Sequence, residues 1–266
     1  MSAISETVRL FAEEHDAVLP QPKLPEDRIM TPEYCLYLAA TPTQTHVTRV
    51  RTTEERLDHT LADIRGQIRT RGYRGATWSI GPSCRPRGLV ELLMARGFVP
   101  ATTPPAEPTS VAMALTRPPS PAPSDVEARH VRTYDEYLMA LGIAMTAFEI
   151  PPDGVAGWRA AAPELYKQQD GIDRLTMLGF VDGRPAGFGW AAAGRDGLVL
   201  CGSGVLPKAR GRGVYRALVE ARWRAAVELG KPALVIHAGA MSLPVLERCG
   251  FERICRLDVL TDPEIR

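Results

Sequence analysis

Val205-Leu206-Pro207-Lys208-Ala209-Arg210-Gly211-Arg212-Gly213-Val214-Tyr215-Arg216-Ala217-Leu218 leads from an apolar run straight into a long amphipathic stretch. The first backbone N–H groups of a helix lack intrahelical partners, and the helix dipole favours anions there. Glycines let the chain wrap closely around a phosphate, and two arginines add charge-assisted hydrogen bonds. The dipole alone contributes about 0.3–1 kcal/mol at an exposed site, so a pyrophosphate would need several N–H contacts and the arginines together. As four bare residues, Arg-Gly-Arg-Gly is equally a basic turn that caps a helix. Its place between a strand and a helix favours the anion site. Neither G-x-x-x-x-G-K-[ST] nor a G-x-G-x-x-G opening a βαβ unit occurs.

Working outward, the pattern predicts a strand over Gly197 to Leu206 before the loop and a helix over Val214 to Leu229 after it. Upstream, Arg174 to Val181 and Pro185 to Ala193 flank Asp182-Gly183, a strong hairpin signal. Helices are expected over Tyr134 to Phe148 and Val155 to Gln168, separated by Pro151-Pro152, with a short strand over Glu127 to Val131. Downstream come a strand over Ala233 to His237, a helix over Leu243 to Cys249 and a strand over Ile254 to Leu260. Thr116 to Asp125 (TRPPSPAPSD) is too rich in proline for helix or central strand and reads as a stiff connection. The expected division is residues 1–119, a linker at 120–125, and residues 126–266.

Composition excludes several classes. Over 266 residues, a formal net charge of +1 gives no reason to expect nucleic acid or an anionic membrane. Five widely spaced cysteines without a CxxC pair argue against a disulfide framework and a structural zinc site, so no metal is expected. The opening MSAISETVRLFAEEHDA lacks the apolar core of a secretion signal, and no run approaches the about 20 apolar residues of a membrane span. A cytoplasmic protein is the default.

The loop resembles the central signature of the GNAT superfamily of CoA-dependent N-acetyltransferases, [Q/R]-x-x-G-x-[G/A], at a strand-to-helix junction. Arg210 and Gly213 fit it, while Tyr215 stands where Gly or Ala is usual. The run Val235 to Phe251 (VIHAGAMSLPVLERCGF) resembles the family's second signature, ending in Gly250-Phe251. The resemblance implies an α/β (α+β) fold with a mixed, mostly antiparallel sheet flanked by helices, and acetyl-CoA as co-substrate. It places the pantetheine arm along Ser203, Val205 and Leu206, and the pyrophosphate on the N–H groups of Arg210, Gly211, Arg212, Gly213, Val214 and Tyr215. Lys208, Arg216 or Arg248 would meet the adenosine phosphate. On this reading Gly213→Glu removes CoA binding and spares the fold.

The family's direct amine attack needs a base, oxyanion donors and an acid for the leaving thiolate. The backbone N–H near Val205 is the expected oxyanion donor. Many relatives place a Tyr where this chain has Leu246 and an Asn where it has Gly239, so Tyr215 and Ser242 become candidates for the acid. His237, at a strand end, has the intrinsic pKa range of a base, and Glu149 lies where the family builds its acceptor site. Cys201 and Cys249 read as buried and inert. The acceptor is a small-molecule or protein amine, and Glu149, Asp153 and Glu164 hint at a cation. Two further readings stay open: a CoA-binding protein that has lost catalysis, and a transferase of a larger acyl group. Monomer and homodimer are both compatible.

The first half reads as a worn copy of part of the second, so two GNAT-like domains in tandem are expected. Thr53 to Phe98 parallels Val214 to Phe251: a long helix ending at Arg71-Gly72, a strand over Ala76 to Ile80, a helix closing on Gly97-Phe98, then a β-rich run over Ser110 to Leu115. Its long helix opens without glycine, and Thr52 or Thr53 would cap it with Glu55 near the dipole, which opposes a phosphate there. Trp78 and the turn Gly81-Pro82-Ser83 are candidates for an interface with the second half.

Overall fold

The computed structural model describes residues 4–22, 26–39, 45–102, 106–169 and 174–265, apart from the side chain of residue 153. Asp153, named above beside the acceptor site, therefore lies outside the described side chains. The first half runs α1 (Glu6–Glu13), α2 (His15–Val18), β1 (Asp27–Met30), β2 (Cys35–Leu38), β3 (Thr45–Thr48), α3 (Leu57–Thr70), β4 (Thr77–Ile80), α4 (Leu89–Met94), β5 (Val99–Pro100) and β6 (Thr109–Leu115). The second runs β7 (Val126–His130), α5 (Tyr134–Ala147), α6 (Pro152–Lys167), β8 (Arg174–Val181), β9 (Arg184–Ala193), β10 (Leu198–Val205), α7 (Val214–Glu228), β11 (Leu234–Ala238), α8 (Leu243–Cys249) and β12 (Glu252–Thr261).

The strongest local signals form as read. Asp182 and Gly183 take φ of +51° and +71°, the two positive values of a hairpin turn whose twist suits the flanking strands. Thr133 caps α5 by accepting from the Glu136 N–H at 3.2 Å, and Pro152 opens α6, where its missing N–H has no function to lose. The start of α3 differs from expectation. Thr52 faces inward and shares a hydrogen bond with Thr60 (3.0 Å), and the Thr53 carbonyl accepts from Arg56 N–H (3.2 Å) in a separate turn. The helix then begins at Leu57 with no side-chain cap, because the buried hydroxyl of Thr52 found a partner in the core instead.

All twelve strands join one sheet, in the order β1-β2-β3-β4-β12-β6-β11-β10-β9-β8-β7, with β5 added to β12. Pairs are antiparallel except β3–β4 and β10–β11. The two halves exchange edges at its centre. Strand β6, from the first half, lies between β11 and β12 of the second. Strand β12 pairs with β6 over Glu252–Asp258, then with β4 over Asp258–Thr261. Beyond β12, Asp262 receives a bidentate contact from Arg65 of α3 (2.7 and 3.1 Å), and Ile265 is buried in the core of the first half. Burying the chain's last apolar residues there stabilises by about 1.5–3 kcal/mol per large side chain.

Alternation along the strands assigns the faces. Leu198, Leu200, Leu234 and Ile236 pack with Val214, Leu218, Leu246 and Cys249 of α7 and α8. Val199 and Val235, on the opposite face, pack with Phe11 and Ala12 of α1. The same opposite face carries α5 and α6 over Leu178 and Phe188. Trp78 is fully buried in the first half's core, edge-on to Phe98 at 5.1 Å, and lies opposite Leu260 of β12. The Gly81-Pro82-Ser83 turn receives the end of α1, with Ser83 N–H donating to Glu13 at 2.7 Å.

Candidate functional site

Strands β10 and β11 are paired at only two positions, Leu198 with Leu234 and Val199 with Val235, and then separate. Beyond that point β10 continues to Val205 against β9 alone, with a bulge between Leu200 and Gly202. The Leu206 N–H donates to Ala186 on β9 (2.9 Å), so alternation turns the N–H groups of Ser203 and Val205 toward the β11 side. The separated strands thus leave a wedge edged by the N–H groups of Ser203 and Val205, which have no strand partner among the described residues.

At the open end of the wedge, Pro207–Ala209 form one turn of 3-10 helix, and Gly211 and Gly213 follow with φ of +78° and +88°. Left-handed backbone of this kind strains any residue with a Cβ. Gly213 is the N-cap of α7, and no side chain caps the helix or places an acid in its first turn. The leading N–H groups of α7 therefore have no capping side chain among the described residues, an arrangement in which a helix start attracts anions.

The arginines of this loop divide in use. Arg210 is exposed and donates to the Val205 carbonyl at 3.4 Å. Arg212 faces two carboxylates, Asp125 at 3.3 Å and Asp182 at 3.6 Å. Arg216 donates to the Pro121 carbonyl at 3.4 Å. The proline-rich segment is thus a strap along α7. The Ala122 N–H donates to Glu220 (3.0 Å), and Pro123 stands where a Cβ on Gly213 would meet its ring at 2.5 Å. The expectation that Gly213→Glu spares the fold is corrected on this ground: the position is sterically closed as well as left-handed. Lys208 and Arg248 are exposed.

Beneath the wedge, on the α7 face, Ser203 accepts from Arg222 Nη1 at 2.7 Å, and the Tyr215 phenol packs nearby, its pKa raised by burial. On the other face, Gly202 lies against Trp190 and Phe148, and a Cβ on Gly204 would meet Ala147 at 2.6 Å. Trp158 stacks on Trp190 with centroids 5.7 Å apart, and Phe148 is 46% exposed. Glu149 follows Phe148, exposed and in left-handed backbone (φ +52°). Glu164 pairs with Lys167 at 2.7 Å and is less available to an external cation.

The candidate catalytic side chains are dispersed. His237 lies on β11 facing α1, where Nε2 donates to the Ala12 carbonyl at 3.0 Å and the ring packs at a tilt against His15, centroids 4.2 Å apart. Burial, with the neighbouring histidines, holds its pKa well below the ordinary value. The ring is neutral and anchors the N-terminal segment. Ser242 donates to the Gly239 carbonyl at 3.2 Å. Leu246 is fully buried in the core. Cys201 corrects the expectation of burial: it is exposed at the β10 bulge, although its Sγ turns toward the Val199 carbonyl (3.6 Å) and desolvation pushes the thiol up to about 11. Cys249 is buried.

Three residues escaped the sequence reading. Arg222 sat within an amphipathic helix, where arginine is ordinarily solvated. Glu107, just before β6, belongs to no motif in its sequence context but accepts from the Ala240 N–H at 2.7 Å, bringing a first-half carboxylate to the end of β11. Asp16 binds His46 (2.7 Å) and His15 (3.3 Å) under the sheet. Among the described residues, no group of three His, Cys, Asp or Glu side chains could hold a metal ion, and no helix is long and apolar enough to cross a membrane.

Residues 144–251 match the sequence model of the acetyltransferase (GNAT) family. No curated protein matches the sequence. Among solved structures, the chain is similar to a GCN5-related N-acetyltransferase from Kribbella flavida, with 17% identity, TM-score 0.71, and 98% of this chain and 97% of that chain covered. It is similar to a tandem GNAT protein from the clavulanic acid biosynthesis pathway, with 15% identity, TM-score 0.60, and coverage of 98% and 89%. A GCN5-related N-acetyltransferase from Sphaerobacter thermophilus matches at 17% identity and TM-score 0.60, over 86% of this chain and 80% of that one. At these identities the likenesses establish the fold, and they extend over both halves. The family match spans the wedge and its loop in the second half, and the chain as a whole has the fold of GNAT proteins in tandem.

Proposed function

We propose that the protein is an N-acetyltransferase that moves an acetyl group from acetyl-CoA to a primary amine. The observation that carries this reading is the wedge between β10 and β11, opening onto the glycine-rich, uncapped start of α7. The residues fit the group. The backbone of Ser203 and Val205 would pair with the amides of the pantetheine arm, and the N–H groups around Gly211 to Tyr215 would hold the pyrophosphate. Acetyl-CoA supplies an activated acyl carbon. The chain's part is to orient it, to offer the Val205 N–H to the developing oxyanion, and to exclude water from the wedge. The amine would approach from the α5 face, past Phe148, Trp158 and Trp190, with Glu149 and Glu107 as carboxylates at its rim.

A second reading, a CoA-binding protein without turnover, is favoured by two observations: Leu246 is buried where relatives carry a proton donor, and His237 is tied to Ala12. Calorimetric titration with acetyl-CoA, followed by free-thiol release with a panel of small primary amines, separates the two. Arg210→Glu is the informative variant, because Arg210 is exposed and has no ion pair among the described residues. Loss of a charge-assisted contact of about 1.5–3 kcal/mol should weaken acetyl-CoA binding roughly 10- to 100-fold without changing the unfolding temperature. Equal affinity in parent and variant would remove the phosphate assignment.

A further inference from the structure

Aromatic rings converge on Gly202, the residue that follows the β10 bulge, just beyond the point where β10 and β11 part. Gly202 lies opposite Trp190 in the β9–β10 register, and a Cβ there would meet Trp190 Cε3 at 3.4 Å and Phe148 Cζ at 3.7 Å. Trp158 of α6 stacks on Trp190 with the ring planes 19° apart. Phe188 meets Trp190 (4.8 Å) and Phe148 (5.4 Å) in T-shaped contacts. Phe188 is fully buried, Trp158 and Trp190 are half-buried, and Phe148 is exposed. Packing of α6 on the sheet accounts for the inner rings. It leaves the Phe148 ring and the outer parts of both tryptophans facing solvent beside the wedge.

The connection from α5 to α6 continues this apolar surface. Ile150 is half-buried, and Pro151 and Pro152 are exposed. Charge there is sparse. Glu149 is exposed and forms no ion pair among the described residues, Glu164 is paired with Lys167, and Glu107 across the wedge already accepts from the Ala240 N–H. Such a surface discriminates among amines. A polyamine brings several ammonium groups, each needing a carboxylate, and an aminosugar brings hydroxyls that lose hydrogen bonds to water against an apolar wall. A single ammonium on a flat apolar body suits it better. Its ring can stack on Phe and Trp faces, both surfaces leave water, and the charge stays near one carboxylate.

We propose that the acceptor is an arylalkylamine, a primary amine on a short chain from an aromatic ring, with that ring held against Phe148, Trp158 and Trp190 and its nitrogen at Gly202. The inference rests on the transferase reading above and makes Phe148 a specificity-determining residue. In the step, the nitrogen forms the C–N bond with the acetyl carbon, and the C–S bond breaks with its electron pair on sulphur. Of the two protons lost by the ammonium, one ends on the sulphur of CoA and one in solvent.

The test gives the full chain acetyl-CoA with 2-phenylethylamine, tryptamine, spermidine or glucosamine and follows free-thiol release. The two aryl amines should exceed the others at least about 10-fold in kcat/KM. Phe148→Ala should raise the KM for 2-phenylethylamine about 10-fold. Phe148→Leu, which keeps apolar bulk but loses the ring face, should raise it about 3-fold, and Phe148→Tyr should keep the parent value. Affinity for acetyl-CoA, by calorimetry, should be the same in all of them. Calorimetric titration of 2-phenylethylamine into CoA-saturated protein reads the contact without turnover, and Phe148→Ala should weaken it by the same factor. Preference for spermidine or glucosamine, an unchanged KM in Phe148→Ala, or no binding of 2-phenylethylamine would overturn the inference. So would a parent that prefers benzoyl-CoA to acetyl-CoA and loses that preference in Phe148→Ala, since the wall would then serve the acyl group. Failure of the parent to bind acetyl-CoA would overturn the transferase reading itself.

Discussion

A Cβ on Gly213 would lie 2.5 Å from Pro123 Cδ, and the residue's φ is +88°, whereas Gly211 has a φ of +78° but nothing within 4 Å. The two glycines of the loop are therefore constrained differently. Gly211→Ala meets only backbone strain, of about 1–2 kcal/mol. Gly213→Ala adds displacement of the strap and should cost at least about 1 kcal/mol more. Equilibrium urea unfolding of both variants measures the difference, and equal midpoints would mean the strap yields freely. At this scale the sequence marked Arg210, Gly211 and Gly213 because left-handed backbone and helix starts have local signatures. It could not mark Arg222, Glu107 or the engagement of His237, since their partners stand 19, 133 and 225 positions away in the chain.

Among the elements, α1 and α2 stand out because the sequence reading assigned them nothing. Ser5 caps α1 by accepting from Val8 N–H at 3.3 Å, and Phe11 and Ala12 cover Val199 and Val235. The segment is held by a polar cluster: Asp16 with His15 and His46, His46 with Ser79 (2.8 Å), and His237 with the Ala12 carbonyl. Burial lowers the pKa of both His15 and His237. A folded-state pKa below the unfolded value gives stability that is present above about pH 6.5 and is lost as pH falls below it, because the unfolded histidines take up protons first. Hydrogen exchange of Phe11 to Asp16 should accordingly be slow at pH 7.5 and faster at pH 5.5, while α7 stays protected. Equal protection of the segment at both values would show that the histidines do not hold it. The start of α3 carries a related lesson: Thr52 has the chemistry of a cap, but a buried hydroxyl takes the partner that packing brings, here Thr60.

Across the whole molecule, the exchange of β6 and β12 couples the halves. A fragment of residues 126–266 would lack the strand between β11 and β12, leaving β11 with its two-residue pairing to β10 and β12 without its neighbours. Exposed strand edges of this kind pair intermolecularly. The fragment should be aggregated or only partly folded by gel filtration and circular dichroism, whereas the full chain should unfold in one transition seen equally by far-ultraviolet and tryptophan signals. A monomeric, cooperatively folded fragment would contradict this coupling.

The sequence by itself determined the order of strands and helices in the second half, the hairpin at Asp182-Gly183, and the loop where β10 turns into α7. Period, turn chemistry and glycine placement act over a few residues and need no partner to be legible. It also carried the likeness between the halves, through their shared helix, strand and Gly-Phe pattern. Tertiary structure decided which strands adjoin: that β6 fills the second half's sheet, and that β12 closes both cores. It decided, too, that the proline-rich segment is a strap on α7, that His237 anchors a helix, and that Arg222 is buried against Ser203 with no ion pair among the described residues. These outcomes depend on contacts between residues far apart in the chain, and hydrophobic pattern fixes which face of a strand is buried without naming the strand beside it.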